Sequence, residues 1–319
     1  MDANNWFDLS KSQLNIWDLE QRYPGTPMNA ISCTIEISGK LDFTLLSQVL
    51  NQVLEADDSL RLRIQVQNKV PMQSYTPYVQ QKFEIYDFTL SGRSAFDKWQ
   101  EMAAREPISV CNEALCQFSM FRLGEFEGGV LVRTHHIISD GWTQMQLCNR
   151  IATHYMALLE DPEATLEPQP SYLQHIENEN KYLESFQRSQ DDKFWRERLG
   201  MDWDPAYIKQ EKGVVSSLYG MRASYGFTES LNHKIYHFCM ENRVSPFSVY
   251  YLALAAYLNR SRNLSCFSIG VPVFNRVTMQ ERNTTGMFVS TLPFICRFYP
   301  ELTIMQLNES VAEQWFDLL

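Results

Sequence analysis

Two adjacent histidines, His135 and His136, are the residues of this chain whose types and setting best support chemistry. They follow a short apolar run at 129–133, and an aspartate and a glycine, Asp140 and Gly141, come soon after them. Beyond Gly141, apolar residues recur at helical spacing. The pattern predicts that the histidines end a strand and that Asp140 caps the N-terminus of a helix. A histidine placed there could accept a proton, beside N–H groups that stabilise a developing oxyanion.

A histidine pair alone also fits an ordinary strand end with one buried ring and one solvated ring, so the surrounding elements must support the site. Strict alternation at 29–38 and 59–66 predicts two half-buried strands, and residues 42–56 between them predict a helix. Residues 115–123 and 128–133 predict a hairpin that delivers the histidines. Strands alternating with helices favour an α/β sandwich lobe.

The remainder of the chain carries further turn, helix and strand patterns. Prolines at 162, 168 and 170 mark a boundary, so we expect two lobes, residues 1–165 and 166–319. Residues 71–95 are rich in turn signals. Helices are expected at 95–104, 171–199, 229–243, 246–262 and 303–319, and strands at 218–227, 267–276 and 286–294.

Composition excludes several classes of protein. The net charge of −10 over 319 residues argues against a nucleic-acid partner. No apolar run is long enough to span a bilayer, and the polar N-terminus lacks the features of a signal peptide. Seven scattered cysteines without a C-x-x-C pair are interpreted as buried reduced thiols; they are Cys33, Cys111, Cys116, Cys148, Cys239, Cys266 and Cys296. A cytoplasmic protein is the resulting expectation.

A second histidine pair, His233 and His237, stands at i and i+4 on a predicted helix. Such a pair can bind zinc, but no glutamate follows His233 and no third ligand is evident. We therefore expect no metal site.

The full pattern His-His-x-x-x-Asp-Gly resembles the signature of the condensation domains of nonribosomal peptide synthetases. Related acyltransferases of the chloramphenicol-acetyltransferase fold share it. Ser10, Gln13 and Trp17 match the first motif of condensation domains, Ser-x-x-Gln-x-x-x-Trp, although the usual basic residue before Trp17 is absent. Residues 58–61 resemble the second motif, and residues 191–195 resemble the end of the tyrosine-rich fourth motif.

A later stretch resembles the fifth motif of the family. Residues 269–272 read Ile-Gly-Val-Pro and are followed by Arg276, and residues 286–293 read Gly-Met-Phe-Val-Ser-Thr-Leu-Pro. Ser290 stands where the family usually has asparagine. The resemblance runs from about Leu9 to Phe294 and then stops, and the further motifs of condensation domains are not found.

The resemblance implies an α/β fold of two chloramphenicol-acetyltransferase-like lobes in a V, here with the second lobe incomplete. A tunnel between the lobes would carry the histidine motif midway. Thioester-linked donor and acceptor would enter from opposite ends, each on the phosphopantetheine arm of a carrier protein. The domain itself needs no cofactor in this family.

The resemblance also assigns roles to residues. His136 would take the proton from the attacking amine, or position that amine and stabilise its charge, and His135 would be structural. Asp140 would pair with Arg276 across the lobes, within the usual ion-pair limit of about 4 Å. Gly141 would leave room for substrate, and its N–H would help the oxyanion.

Two further residues, Trp142 and Ser290, are expected to support the site structurally. Trp142 flanks Asp140 in the sequence, and Ser290 replaces an amide that the family places near the tunnel.

The expected partners are peptidyl or acyl carrier protein domains, with adenylation and carrier domains following in a full chain. Because the first motif lies close to residue 1, an initiating domain with a fatty acyl donor is expected, and acyl-CoA is a further candidate donor.

Other members of the fold remain as alternatives. Epimerisation domains share the signature but need a catalytic glutamate with its own motif, which is not found, and heterocyclisation domains replace the histidines with an aspartate pair. A stand-alone acyltransferase that uses acyl-CoA and a truncated domain that only docks carrier proteins stay open.

Overall fold

The computed structural model describes residues 6–111, 113–200, 223–299 and 301–318. Its contacts form two compact units: Met1–Arg188 with Phe274–Ser290, and Ser189–Val273 with Thr291–Leu319. The division does not fall at residue 165, because the segment after it packs into the first unit through Tyr172, which is fully buried. The assignment of two functional lobes stays a prediction.

Strands predominate up to residue 135, and helices predominate after it. The strands are β1 Phe7–Asp8, β2 Ala30–Ser38, β3 Leu62–Gln67, β4 Val70–Tyr75, β5 Ile85–Asp87, β6 Cys116–Gly124, β7 Glu127–His135, β8 Cys266–Val273 and β9 Ser290–Arg297. The helices are α1 Lys11–Arg22, α2 Phe43–Ala56, α3 Arg93–Ala104, α4 Gly141–Glu160, α5 Tyr172–Leu183, α6 Phe186–Leu199, α7 Glu229–Asn242, α8 Pro246–Arg262, α9 Met279–Asn283 and α10 Ile304–Leu318.

The first unit contains a four-stranded sheet in the order β2-β7-β6-β5 and a three-stranded sheet in the order β1-β4-β3. In the larger sheet, β5 and β6 run parallel and the other neighbours run antiparallel. The register pairs Ala30 with His135 at one end of β2 and β7. The histidine motif therefore leaves the sheet directly from an interior strand.

Two helices of the first unit supply much of its core. The buried face of α2 carries Leu46, Val49, Leu50 and Val53, spaced as one apolar stripe. This helix packs against α4, whose stripe includes the buried Ile151. Because α4 is fixed along its length by this packing, its N-terminus is a firm support for the residues at its start.

The second unit has a smaller core. Strands β8 and β9 form a two-stranded sheet, and α8 packs on α7 and α10. The core residues come from α8, the two strands and α10, and they include Ala255, Phe267, Phe294 and Val311.

The structure confirms the α/β class and most of the expected elements, with three corrections. The turn-rich stretch at 71–95 contains β4 and β5. The single helix expected at 171–199 is two helices, α5 and α6, and Ser185 between them accepts the N–H of Arg188. Of the strand expected at 218–227, residues 218–222 lie outside the described residues, and residues 223–227 have no regular secondary structure.

The cysteines are less uniformly buried than expected. All seven lie among the described residues and are free thiols. Cys116, Cys239 and Cys296 are buried, three more are half-buried, and Cys111 is exposed on a loop. None of the described helices combines the length and apolar character needed to cross a membrane.

Candidate active site

The two histidines lie where the sequence predicts, at the junction of β7 and α4. His135 is the last residue of β7, and residues His136–Ile138 form one 3-10 turn before α4. His135 is buried, and its Nδ1 accepts the N–H of Ile137 at 3.1 Å. His136 is half-buried, and its Nδ1 has no hydrogen-bond partner among the described residues.

Asp140 is the N-cap of α4, as expected. It is fully buried, and its Oδ1 accepts the N–H of Thr143 at 2.9 Å. Gly141 follows as the first helical residue and is exposed. A Cβ built on Gly141 meets no atom within 4 Å, so open space adjoins the helix N-terminus.

The predicted ion pair between Asp140 and Arg276 is present, with Arg276 Nη1 donating to Asp140 Oδ2 at 2.6 Å. The two side chains are 1 % and 2 % exposed. The N–H of Phe288 donates to the same oxygen at 3.1 Å. Contrary to the expected pairing across two lobes, both partners lie in the first compact unit, and the pair fixes the segment 274–290 to the start of α4.

The contact is not bidentate, although a planar guanidinium can bind a carboxylate through two parallel hydrogen bonds. Arg276 gives the carboxylate one hydrogen bond, and its Nη2 donates instead to Thr143 Oγ1 at 2.9 Å and to the carbonyl of Gly286 at 3.1 Å. The planar guanidinium thus joins two side chains at the start of α4 to the backbone of Gly286.

Thr143 is one residue of this site that the sequence analysis did not identify. Its hydroxyl donates to the carbonyl of Gly286 at 2.9 Å and accepts from the N–H of Gly286 at 3.2 Å as well as from Arg276. Thr143 stands two residues after Gly141, and only this position could have suggested that its side chain lies on the same side of the helix start as that of Asp140.

Two side-chain rings, those of Phe288 and His175, lie behind the ion pair. The guanidinium carbon of Arg276 lies 4.1 Å from the ring centroid of Phe288, and the imidazole of His175 lies 4.2 Å from the same centroid. Burial lowers the pKa of His175 to about 4, with Arg276 acting in the same direction and Glu281 against it. His175 is therefore neutral near pH 7 and packs as an aromatic ring.

Tyr172 lies on α5, in the segment that resembles the tyrosine-rich fourth motif, and its ring contacts the rings of His175 and Phe288. Its hydroxyl lies 2.8 Å from Ser10 Oγ and donates to the carbonyl of Met287. Ser10 itself is the N-cap of α1, in a capping box with Gln13. The first, fourth and fifth motifs thus meet at one buried point.

The remaining expected supports, Trp142 and Ser290, lie at the edge of the site. The indole N–H of Trp142 donates to the carbonyl of Arg282 at 2.9 Å, and its ring packs edge-on against Phe274. Ser290 Oγ accepts the side-chain amide of Asn275 at 2.7 Å. Asn275 also donates to the carbonyl of Phe288. The side-chain amide of Asn275 therefore lies beside Ser290, the position at which the family usually has asparagine.

The other histidine pair, His233 and His237, lies on α7 in the second unit. The side chain of His233 is 70 % exposed, and its nearest acidic partner is Glu229 at 3.9 Å. Across the part of the chain that the structure describes, no cluster of three potential metal ligands is found.

Comparison with known proteins gives one family. A family model described as the condensation domain matches residues 4–318. Similar curated proteins include surfactin synthase subunit 1 of Bacillus subtilis (strain 168), 28 % identical over 293 residues. Another is the beauvericin nonribosomal cyclodepsipeptide synthetase of Beauveria bassiana, 25 % identical over 297 residues. The matches cover 90 % and 91 % of this chain but only 8 % and 9 % of those proteins.

Solved structures share the fold. The first condensation domain of the CDA synthetase matches with a TM-score of 0.82 at 20 % identity, covering 99 % of this chain and 76 % of that one. A variant of the starter condensation domain of rhizomide synthetase, in complex with C8-CoA, matches with a TM-score of 0.85 at 22 % identity, covering 98 % of this chain and 71 % of that one. These similarities confirm the predicted fold class.

Proposed function

The chain belongs to the condensation-domain family, and we propose that it forms an amide bond between a thioester-bound acyl donor and the amine of an aminoacyl acceptor. The observation that carries the proposal is His136, half-buried on a turn at the N-terminus of α4 and braced by the buried Asp140–Arg276 pair. Amide formation needs a proton acceptor for the amine and donors for the oxyanion, and both are adjacent here.

The proposed reaction begins with attack of the acceptor amine on the thioester carbon. A carbon–nitrogen bond forms, and the carbonyl oxygen becomes an oxyanion. The amine proton passes to His136, whose Nδ1 is buried, which leaves Nε2 to face the substrate. When the oxyanion collapses, the carbon–sulfur bond breaks and the thiolate takes a proton, so amide and free thiol are the products.

The N-terminus of α4 supplies the positive potential for the oxyanion. The N–H of Gly141 and the helix dipole both act there, and the open space beside Gly141 admits a substrate. Asp140 brings a negative charge to the same place, which would oppose the oxyanion. Arg276 neutralises that charge, with its Nη1 2.6 Å from Asp140 Oδ2. The pair therefore preserves the positive potential of the site as well as its shape.

The substrates follow from the family and the similar proteins. The beauvericin nonribosomal cyclodepsipeptide synthetase is, by name, a nonribosomal synthetase of a cyclodepsipeptide. We infer carrier-bound thioesters as donor and acceptor, held on phosphopantetheine, with carrier protein domains as partners. No cofactor of the domain's own is needed in this proposal, because the thioester is already activated.

A second candidate for the donor is acyl-CoA. The similar starter condensation domain of rhizomide synthetase was solved with C8-CoA, and a related complex also contains Leu-SNAC. An acyl-CoA donor would make this an N-acylating domain, whereas an aminoacyl or peptidyl donor would place it after another module.

These donors can be compared in one experiment. The protein is incubated with Leu-SNAC as acceptor and either octanoyl-CoA or an aminoacyl thioester of a carrier protein as donor. Mass spectrometry then detects octanoyl-leucyl-SNAC or the dipeptidyl product. We expect amide with octanoyl-CoA. Amide only from the aminoacyl donor rejects the acyl-CoA assignment, and no amide from any donor, with carrier protein still bound, favours a docking domain instead.

A further inference from the structure

A buried acidic side chain, Glu20 of α1, faces the first histidine of the motif. Glu20 is 8 % exposed, and its Oε2 lies 3.6 Å from His135 Nε2. The same oxygen accepts the side-chain amide of Asn29 at 2.8 Å. No role in this site follows from the sequence pattern for either residue.

The hydrogen bonds of His135 define which of its nitrogens carries the proton. Nδ1 accepts the N–H of Ile137, so in the neutral ring the proton is on Nε2. Nε2 has no closer partner among the described residues, and at 3.6 Å the carboxylate of Glu20 is within ion-pair range but longer than a hydrogen bond. An N–H directed at a buried carboxylate favours this tautomer over the other one.

Glu20 is ionised in the folded protein. Burial raises the pKa of its carboxyl, but the polar contacts with His135 and Asn29 outweigh burial and hold that pKa below its usual range. A charged acceptor therefore faces Nε2 at neutral pH.

Both backbone polar groups of Ile137, in the turn that carries His136, are connected to α1, one through His135 and Glu20 and the other through Gln13. The N–H of Ile137 donates to His135, and the carbonyl of Ile137 accepts the side-chain amide of Gln13 at 3.0 Å. Gln13 and Glu20 are seven residues apart on α1, so they lie on one face of the helix, about two turns apart. One helix face thus orients the whole His136 turn.

We propose that Glu20 is a positioning residue for the reaction: it fixes the tautomer and ring orientation of His135, which in turn hold the backbone N–H of Ile137 and the direction of His136. The inference rests on the proposed function for the part that it gives to His136. Outer partners of functional histidines act in this way in metal sites, where their loss typically lowers affinity or activity by about 10- to 100-fold.

The direct test reads the tautomer without any substrate. The chain has six histidines, and in protein labelled with ¹⁵N-histidine the ring correlations of His135 are assigned by their loss in an H135N variant. We expect Nε2 protonated and Nδ1 bare. In E20M, which has similar volume and no acceptor, we expect mixed tautomers for His135, shifted ring signals for His136, and amide formation slowed by about 10-fold or more with KM little changed.

Two variants separate positioning from a general effect on stability. In E20Q an amide oxygen can replace Oε2 and accept from both His135 and Asn29, so we expect the wild-type tautomer and most of the rate to return. D18N removes the same charge from an exposed position of α1, and we expect no change in it.

Three results would overturn the inference. One is a wild-type ring with its proton on Nδ1, which is decisive even if E20M does not fold. Another is an E20M spectrum identical to that of wild type, and the third is a failure of E20Q to restore what E20M loses. Absence of amide formation in every variant, with the tautomers as expected, would count against the proposed function alone.

Discussion

The carboxylate of Asp140 accepts three hydrogen bonds, from the backbone of Thr143 and Phe288 and from the guanidinium of Arg276. Its burial leaves no water to replace any of them. A buried charge that loses its partner costs far more than the pair gains over an apolar contact. At the residue scale, the stability of the site therefore depends on both Asp140 and Arg276 being present.

Replacing Arg276 by alanine should lower the free energy of unfolding by about 3–5 kcal/mol, because Asp140 would remain buried and unpaired. Urea denaturation of the protein measures this difference. The matched control is R282A, which removes an exposed arginine from α9 in the same segment and should change stability by less than about 0.5 kcal/mol. Equal stability of R276A and R282A would show that the pair does not hold the segment.

Half-buried His175 and fully buried Asp57, whose carboxylate accepts the hydroxyl of Thr285, titrate in opposite senses. Burial lowers the pKa of His175 to about 4 from 6.5, while burial raises the pKa of Asp57 to about 6 from 3.8. The neutral form of His175 stabilises the fold above pH 6.5, and this contribution is lost as the pH falls toward 4. The Asp57 carboxylate opposes folding above its raised pKa, and protonation relieves that opposition over nearly the same interval.

Variants of these two groups should therefore change the acid response in opposite directions. On going from neutral pH to about pH 4, H175Q should lose less stability than wild type, and D57N should lose more, each by on the order of 2–3 kcal/mol. Urea denaturation at several pH values gives both differences. Curves that stay parallel to that of wild type would show that neither group titrates as its burial implies.

At the scale of elements, the site is a strand end, a turn and a helix start that are joined to a distant segment. The strand, turn and helix could be predicted because alternation, the histidine pair and Asp140 occupy one continuous stretch. The pairing with Arg276 was predicted from the family resemblance, since its partner lies 136 residues away. Thr143 and Glu20 were missed because their neighbours come from other segments and leave no local pattern.

Two element predictions failed for local reasons. Strand β4 was not predicted because Pro71 is a turn signal. β4 lies between β1 and β3, but β1 pairs only with Met72 and Gln73 of β4. Pro71 thus needs no ladder bond on that side, which is where proline is tolerated in sheets. The long helix is divided at Ser185, whose side chain accepts the N–H of Arg188 in a typical N-cap contact.

The close approach of α5 to the fifth-motif segment gives a prediction for Gly286. A Cβ there would lie 2.2 Å from Cδ2 of Tyr172, whose ring is fully buried and cannot move without breaking its bonds to Ser10 and Met287. G286A should therefore lower the free energy of unfolding by about 1–3 kcal/mol, as overpacked cores do.

Thermal or urea unfolding of G286A measures this effect. The control is G124A at the end of β6, where an added Cβ meets nothing within 4 Å. A G286A variant as stable as G124A would mean that α5 can move away from the segment, and the junction of the three motifs would then be loose.

At the scale of the whole molecule, the sequence identified the fold class because two motifs far apart in the chain occur in the right order and with related contents. The family comparison and the similar structures confirm that inference. The divisions of the chain were harder to foresee. Segment 274–290 belongs with the first unit, because Arg276, Gly286 and Phe288 all bond to the start of α4, and no composition change marks such a return.

In the proposed function, amide formation depends on His136. The most direct measurement is the rate of amide formation by wild type and H136A with the donor that gives product, alongside H233A, which changes an exposed histidine of the second unit. We expect H136A to fold normally and to be slower by about 10²–10⁴-fold, the range for loss of a positioned base, while H233A matches wild type. Turnover by folded H136A close to that of wild type would contradict the account.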